Sequence, residues 1–286
     1  MLRKLTVICE NSVGTAKKAI GEHGFSCLIE TDAGRYLFDT GQGAGLLRNS
    51  SVLGLDMDKL DGIILSHGHY DHAGGLIDAL GMTSPIEIFG HPDIFSERLW
   101  VGLHEQLDIG IPFSRKQLEL MGASFNLSCE FREISPGLWL TGEVPRVTAF
   151  ESGDPHLQVA GRAGELGPDP LADDCSVVID SDRGLVLLLG CAHAGLVNIM
   201  HHVLEKTGRD RIYAVIGGLH LAPASDAQFA GTVEAIRSLR VERVGVGHCT
   251  GLRRSAELFS IFPQKTFFAS VGATLEMQET FLNATP

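Results

Sequence analysis

The chain has 286 residues, 44% of them hydrophobic, with 34 glycines and a formal net charge of -12. That composition supports a large buried core and excludes a fibre or a disordered chain. It also argues against a nucleic-acid partner, because phosphate backbones are held mostly by Lys and Arg, and no basic stripe occurs here.

Taken in chain order, short apolar runs predict strands at LTVIC, FSCLIE and RYLFDT. The turn DAG between the second and third predicts a hairpin. A helix is expected near 43–53, a strand at DGIILS, a helix from about 73 to 81 and a strand at IEIFGH. Residues 92–135 are more mixed and read as an insert, with a Ser-capped helix at SRKQLELMG. Then come strand candidates LWLTGEV, SVVIDSD, GLVLLLG, IYAVIGG and RVGVGHC, with helices at 195–207, 225–239 and near 252–262. The strands GIILS and GLVLLLG do not alternate, so both of their faces should be covered. The sum is one α/β domain over 1–286: a four-layer α/β/β/α sandwich with two mixed sheets. The Gly-, Pro- and acid-rich stretch 151–174 reads as a long surface loop near the site.

Six cysteines, Cys9, Cys27, Cys129, Cys175, Cys191 and Cys249, form no CxxC pair and no secreted framework. The opening apolar run is too short for a signal-peptide core, and no stretch is long enough to span a membrane. The expectation is a cytoplasmic protein with reduced thiols, acting on a small molecule.

Directly after GIILS comes His67-Gly68-His69-Tyr70-Asp71-His72. In extended backbone, residues two apart share a side, so His67 and His69 can grip one ion together. The following helix aims Asp71 and His72 elsewhere, which makes two neighbouring ions the natural result. Imidazole and carboxylate suit Zn, Fe or Mn. An exposed loop whose histidines cap a helix does not need three histidines and an aspartate at this spacing. Later strands end in the same way: GLVLLLGCAH at Cys191 and His193, IYAVIGGLH at His220, and RVGVGH at His248. Three strand-end histidines in one register beside the cluster supply further donors, His193 and His248 first and His220 after them.

HGHYDH matches the HxHxDH signature of the metallo-β-lactamase superfamily. EHGFSCLIETDAGRYLFDTGQG, LGCAHAGLVNI, YAVIGGLHL and GHCTG closely resemble the branch named for the dihydropterin-ribofuranosylaminobenzene 5'-phosphate synthase of methanopterin biosynthesis. The resemblance implies His67, His69 and His193 at one metal and Asp71, His72 and His248 at a second, with one or two divalent ions, Zn foremost. It implies that Asp39, in LFDTG, orients ligands by hydrogen bonds. Where many superfamily members carry a metal-bridging Asp, this chain has Cys191 after Gly190, as a small apolar filler, a neighbour of the ligands or a soft ligand.

The synthase-like reading is displacement of diphosphate from a dihydropterin-methyl diphosphate by an electron-rich aminobenzene bearing ribose phosphate. The rival is hydrolysis of a small phosphoester, cyclic phosphate or strained ester, with Asp71 or an outer carboxylate managing the proton. A third reading is a metal-binding sensor domain without activity. Arg146, Arg253 and Arg254 are candidate partners of a substrate phosphate.

Overall fold

A computed structural model describes residues 1–14, 18–161 and 164–277. Two seven-stranded sheets stack face to face. The first opens with the antiparallel run Thr274–Glu276, Leu2–Cys9, Ser26–Thr31 and Arg35–Phe38, where the hairpin between the last two turns at residues 32–34. It continues in parallel through Gly62–Ile64, Ile86–Gly90 and Ala123–Leu127. The second runs antiparallel from Arg132–Ser135 through Leu138–Leu140 and Ser176–Ile179 to Leu185–Leu189. It then turns parallel through Ile212–Gly218, Arg243–Gly247 and Thr266–Phe268. Both sheets are therefore mixed, as the apolar pattern implied.

The strand Leu185–Leu189 shows why its sequence lacks alternation. Val186 and Leu188 pack with Phe25, Phe38 and Ile64 in the core between the sheets. Leu185, Leu187 and Leu189 pack with Leu196, Met200, Val203 and Ile236 in the core beneath the outer helices. Each of these leucines is fully buried, and burial of one such side chain contributes about 1.5–3 kcal/mol. In the first sheet Ile64 faces inward while Ile63 and Leu65 face the helices Leu46–Leu53 and Leu76–Thr83. The layers are helix, sheet, sheet, helix.

The outer helices over the second sheet, Leu196–Thr207, Asp226–Ser238 and Leu252–Ile261, fall where the sequence places them. Ser225 caps the second of these by accepting from the Gln228 amide, and Ser114 forms a capping box ahead of Arg115–Leu120. The helix expected over 73–81 divides into Tyr70–Ala73 and Leu76–Thr83.

A third sheet departs from expectation. Leu157–Ala160 and Leu166–Pro168, inside the stretch read as a loop, pair antiparallel with each other. Leu157–Ala160 pairs in turn with Arg98–Val101, which pairs with Gln106–Asp108. These strands are short and two of them are largely exposed, so they lack the apolar alternation that marks a strand in sequence. Residues 92–135 split the same way: part joins this small sheet, while Ala123–Leu127 and Arg132–Ser135 belong to the two large ones. Among the described residues, no helix is long and apolar enough to cross a membrane.

Candidate metal centre

The parallel strands Leu185–Leu189, Ile212–Gly218 and Arg243–Gly247 are neighbours and end at one sheet edge. Residues just past those ends, Cys191, His193, His220 and His248, are thereby brought side by side. The strand Gly62–Ile64 of the facing sheet delivers His67–His72 to the same edge.

His69 keeps an extended backbone (φ -91°, ψ 148°) and immediately precedes the helix Tyr70–Ala73, which carries Asp71 and His72. His67 Nε2 faces His69 Nδ1 at 3.0 Å. The His193 ring lies 4.9 Å from that of His67 and 5.1 Å from that of His69. One ring nitrogen from each of the three lies within 4.8 Å of the others. Beside this trio, His72 Nε2 and His248 Nε2 face each other at 3.1 Å. Asp71 Oδ2 stands 3.3 Å from His248 Nε2 and 3.8 Å from His72 Nε2. Thus the six residues that the resemblance implies as ligands converge as two adjoining groups of three.

The donor set fits divalent ions. His69 Nε2 and both ring nitrogens of His193 are buried with no hydrogen-bond partner. An orphaned buried polar atom is costly unless something binds it. Burial pushes His67 and His193 well below the ordinary imidazole range and pushes His69 down to about 3. These rings are neutral and present lone pairs, the state in which imidazole binds metal. Burial also works against charge on His72, yet the carboxylates of Asp71 and Asp39 raise it to about 9. Burial alone would raise Asp71, but the charge on His72 and hydrogen bonds from His23 and His248 hold it well below the usual carboxylate range. Concentrated negative charge with unpaired nitrogen lone pairs is the electrostatic signature of a cation site.

Buried carboxylates hold each loop that carries a candidate ligand. Asp39 accepts from His72 Nδ1, the Ser66 amide and the Ser66 hydroxyl, each at 2.7 Å. Asp173 accepts from the Gly68 amide at 2.8 Å, and Asp174 from the Ala194 amide at 2.8 Å. Glu10 accepts from the His248 amide at 2.6 Å. Glu151 accepts from the amides of Val197 and Asn198, which follow His193. Gly195, at φ 94°, lies so close to the Glu151 carboxylate that a side chain would collide with it. Backbone strain gathers here too: Asp39, Ala192, His220 and His248 all have φ between 46° and 57°. Such conformations cost free energy and persist where the surroundings over-determine them.

Cys191 lies at the seam of the two groups. Its Sγ is 3.2 Å from His72 Nε2 and is close to both His67 and His193. His220 packs its ring 4.2 Å from that of His193, and neither of its nitrogens has a hydrogen-bond partner. His220 Nε2 lies 3.9 Å from Asp154. A cavity of about 510 Å³ opens beside His193, lined by Arg146, Asp154, Pro155, Pro170 and Leu171 among others. Arg146 is anchored there by donating to the carbonyls of His193 and Pro170 at 2.6 and 2.8 Å.

Arg253 and Arg254 require correction as candidate phosphate partners. Arg254 is bound to Asp226 and Glu257, and Arg253 to Glu257. Both line a different cavity, of about 440 Å³, that includes none of the six ligand candidates. The three arginines look alike in sequence, and only the fold shows which faces the site.

Glu10, Glu151, Asp173 and Asp174 escaped the sequence reading. Glu10 follows the strand LTVIC and Asp173-Asp174 precede SVVI, so acids flanking apolar strands were the available signal. His23 also reaches Asp71 Oδ2, at 3.1 Å.

With that geometry in view, comparison with known proteins is specific. Residues 20–248 match the model of the metallo-beta-lactamase superfamily. The 7,8-dihydropterin-6-methyl-4-(beta-D-ribofuranosyl)-aminobenzene-5'-phosphate synthase of Methanocaldococcus jannaschii is 30% identical over 259 residues, covering 87% of this chain and 88% of its own length. An uncharacterized protein of the same archaeon is 29% identical over 247 residues, covering 85% of this chain and 89% of its own. A crystal structure described as Tm1679, a metal-dependent hydrolase of the beta-lactamase superfamily, is 29% identical with a TM-score of 0.82. It covers 97% of this chain and 100% of its own. Fold, family match and overall likeness agree: the chain belongs to the metallo-beta-lactamase superfamily, whose members imply a bound divalent metal.

Proposed function

We propose that this chain is a metal-dependent transferase that joins a dihydropterin-methyl group to a phosphorylated ribofuranosyl-aminobenzene, with loss of diphosphate. The observation that carries this reading is the near end-to-end likeness to the Methanocaldococcus synthase. His67, His69 and His193 would hold one ion and Asp71, His72 and His248 the other. A nitrogen-rich set with a thiol at its seam favours Zn over harder ions. Bound there, the ions supply positive charge that neutralises a departing diphosphate.

The chain's own residues do the rest. Arg146, fixed by two backbone carbonyls, sets a guanidinium on the cavity wall beside His193, where it can meet a phosphate. Pro155, Pro170 and Leu171 give that wall an apolar surface on which a flat ring can lie and from which water is displaced. Holding the aminobenzene nitrogen against the pterin methylene, where a C–N bond forms as the C–O bond to diphosphate breaks and the amine proton leaves, is then a matter of positioning, which is worth several kcal/mol in bringing two reactants together, about 7–11 in the best-oriented cases. The partner is a small phosphorylated molecule. Six unpaired cysteines fit a reducing compartment, so we place the protein in the cytoplasm.

The likeness to a solved metal-dependent hydrolase favours a second reading, cleavage of a small phosphoester or strained ester. There Asp71, held by His23, takes a proton from the attacking water. One assay separates the two. Fully metallated protein is given the pterin diphosphate with and without the aminobenzene phosphate, and diphosphate is measured. Release that requires the acceptor supports the transferase. Release in water alone supports the hydrolase. Absence of both across a phosphoester panel leaves a metal-binding sensor domain.

A further inference from the structure

The small third sheet sends one side chain into the metal loop. Arg98, on the strand Arg98–Val101, is 2% exposed. Its Nε donates to Asp169 Oδ2 at 2.6 Å and its Nη2 to Asp173 Oδ1 at 2.7 Å. The other oxygen of Asp173 accepts from the amide of Gly68, between His67 and His69. A side chain at Gly68 would strike the Ile94 carbonyl and come within 2.7 Å of Arg98 Nη1, so the loop rests directly on the guanidinium. At the other end, Asp169 lines the cavity that contains His193 and also accepts from the Leu171 amide at 2.8 Å.

We propose that Arg98 is a positioning residue. Through Asp173 it fixes the Gly68 amide, and with it His67 and His69, in the spacing that grips an ion. Through Asp169 it ties that loop to the cavity wall. A buried ion pair is weak support for stability, since desolvating the charges consumes most of what their attraction returns. What it does supply is direction. The guanidinium is a rigid planar fork that meets two carboxylates at once, whereas a lysine ammonium is a single point on a flexible stem. Groups that orient metal ligands from behind typically change metal affinity about 10–100-fold when altered.

The inference rests on the metal centre and not on the reaction assigned to it, so either can fail alone. Arg98→Lys keeps the charge and removes the fork. In a His248→Ala background, which disables the second site, bound cobalt(II) reports the site of His67, His69 and His193. Arg98→Lys should weaken cobalt binding there about 10–100-fold in a chelator competition and shift the visible cobalt absorption. A purely structural Arg98 would lower the urea midpoint and leave the cobalt spectrum of the folded fraction unchanged, and that result overturns the proposal. Should Arg98 variants not fold, the metal-free wild-type chain decides the matter by hydrogen exchange. A Gly68 amide that stays protected supports a brace that acts before metal, and rapid exchange from the folded state overturns it. Asp169→Asn touches no atom of the metal loop. A shifted cobalt spectrum supports the tie to the cavity, and an unshifted one removes that half.

Discussion

His72 Nδ1 donates to Asp39 Oδ2 across 2.7 Å, and neither side chain has any exposed surface. The bond leaves Nε2 of His72 as the nitrogen that faces His248 and Cys191. Asp39 therefore decides which nitrogen of His72 is offered to an ion. Asp39→Asn should keep the fold and weaken metal binding about 10–100-fold. Chelator competition on the folded variant checks this, and wild-type affinity would remove Asp39 from that role.

Ligands and neighbours should separate by metal content. His69→Ala and His193→Ala should each lose most of the ion at their shared site, measured by elemental analysis of purified protein. His220→Ala should retain both ions, because the two groups of three are complete without it. Cys191→Ser is the informative intermediate. Loss of cobalt's sulfur-to-metal absorption in the near ultraviolet would show that the thiol reaches the metal, whereas a spectrum identical to wild type would leave Cys191 as packing.

Stripped of metal, the protein should be acid-sensitive. Burial holds His67, His69 and His193 below the unfolded value of about 6.5, with His69 at about 3. As pH falls below 6.5, the unfolded chain binds protons that the native state refuses, so stability drops by up to about 1.4 kcal/mol per pH unit per proton. His72, raised to about 9 in the folded state, works in the other direction and loses its contribution as pH climbs from about 6.5 through 9. Chelated protein should thus lose stability below pH 6.5, less steeply than the three imidazoles alone would give, because burial raises Asp173 to about 7 and Asp174 to about 6 and the native state binds those protons. Urea midpoints that rise steadily from pH 6.5 to 4 would contradict the burial of these rings as neutral groups.

Leu187 is fully buried in the core under the outer helices, on the strand that leads to Cys191 and His193. Leu187→Ala should cost about 2–5 kcal/mol in chemical denaturation. The same change should alter metal affinity far less than His193→Ala, because the strand end is also fixed by Asp174 and Glu151.

What could be read without the fold follows a physical divide. The meeting of HGHYDH with the strand-end histidines was legible because the strands delivering them are continuous apolar runs. The two-sided burial of Leu185–Leu189 was legible for the same reason. The strands around Arg98, Gln106, Leu157 and Leu166 were not, since they are short and at most half-buried for the greater part, and pairing rather than hydrophobic pattern defines them. The bracing acids were hidden for another reason. Glu10 acts on His248 across 238 positions, and no local spacing rule spans that distance. Arg253 and Arg254 show the converse error, in which residue chemistry was right for phosphate and the partners already present were not visible.

The meeting of His72 with His248 bridges 176 positions and both large sheets. The centre is consequently indivisible. A truncated or nicked chain that kept HGHYDH and lost the last parallel strands would retain a recognisable motif and no complete site. Contacts this distant in sequence also form late, because closing long loops costs entropy before it returns any contact energy. Competence to hold metal is then a report on the whole molecule. Metal stoichiometry becomes a more stringent gauge of correct folding than helix content, which nearby residues can satisfy by themselves.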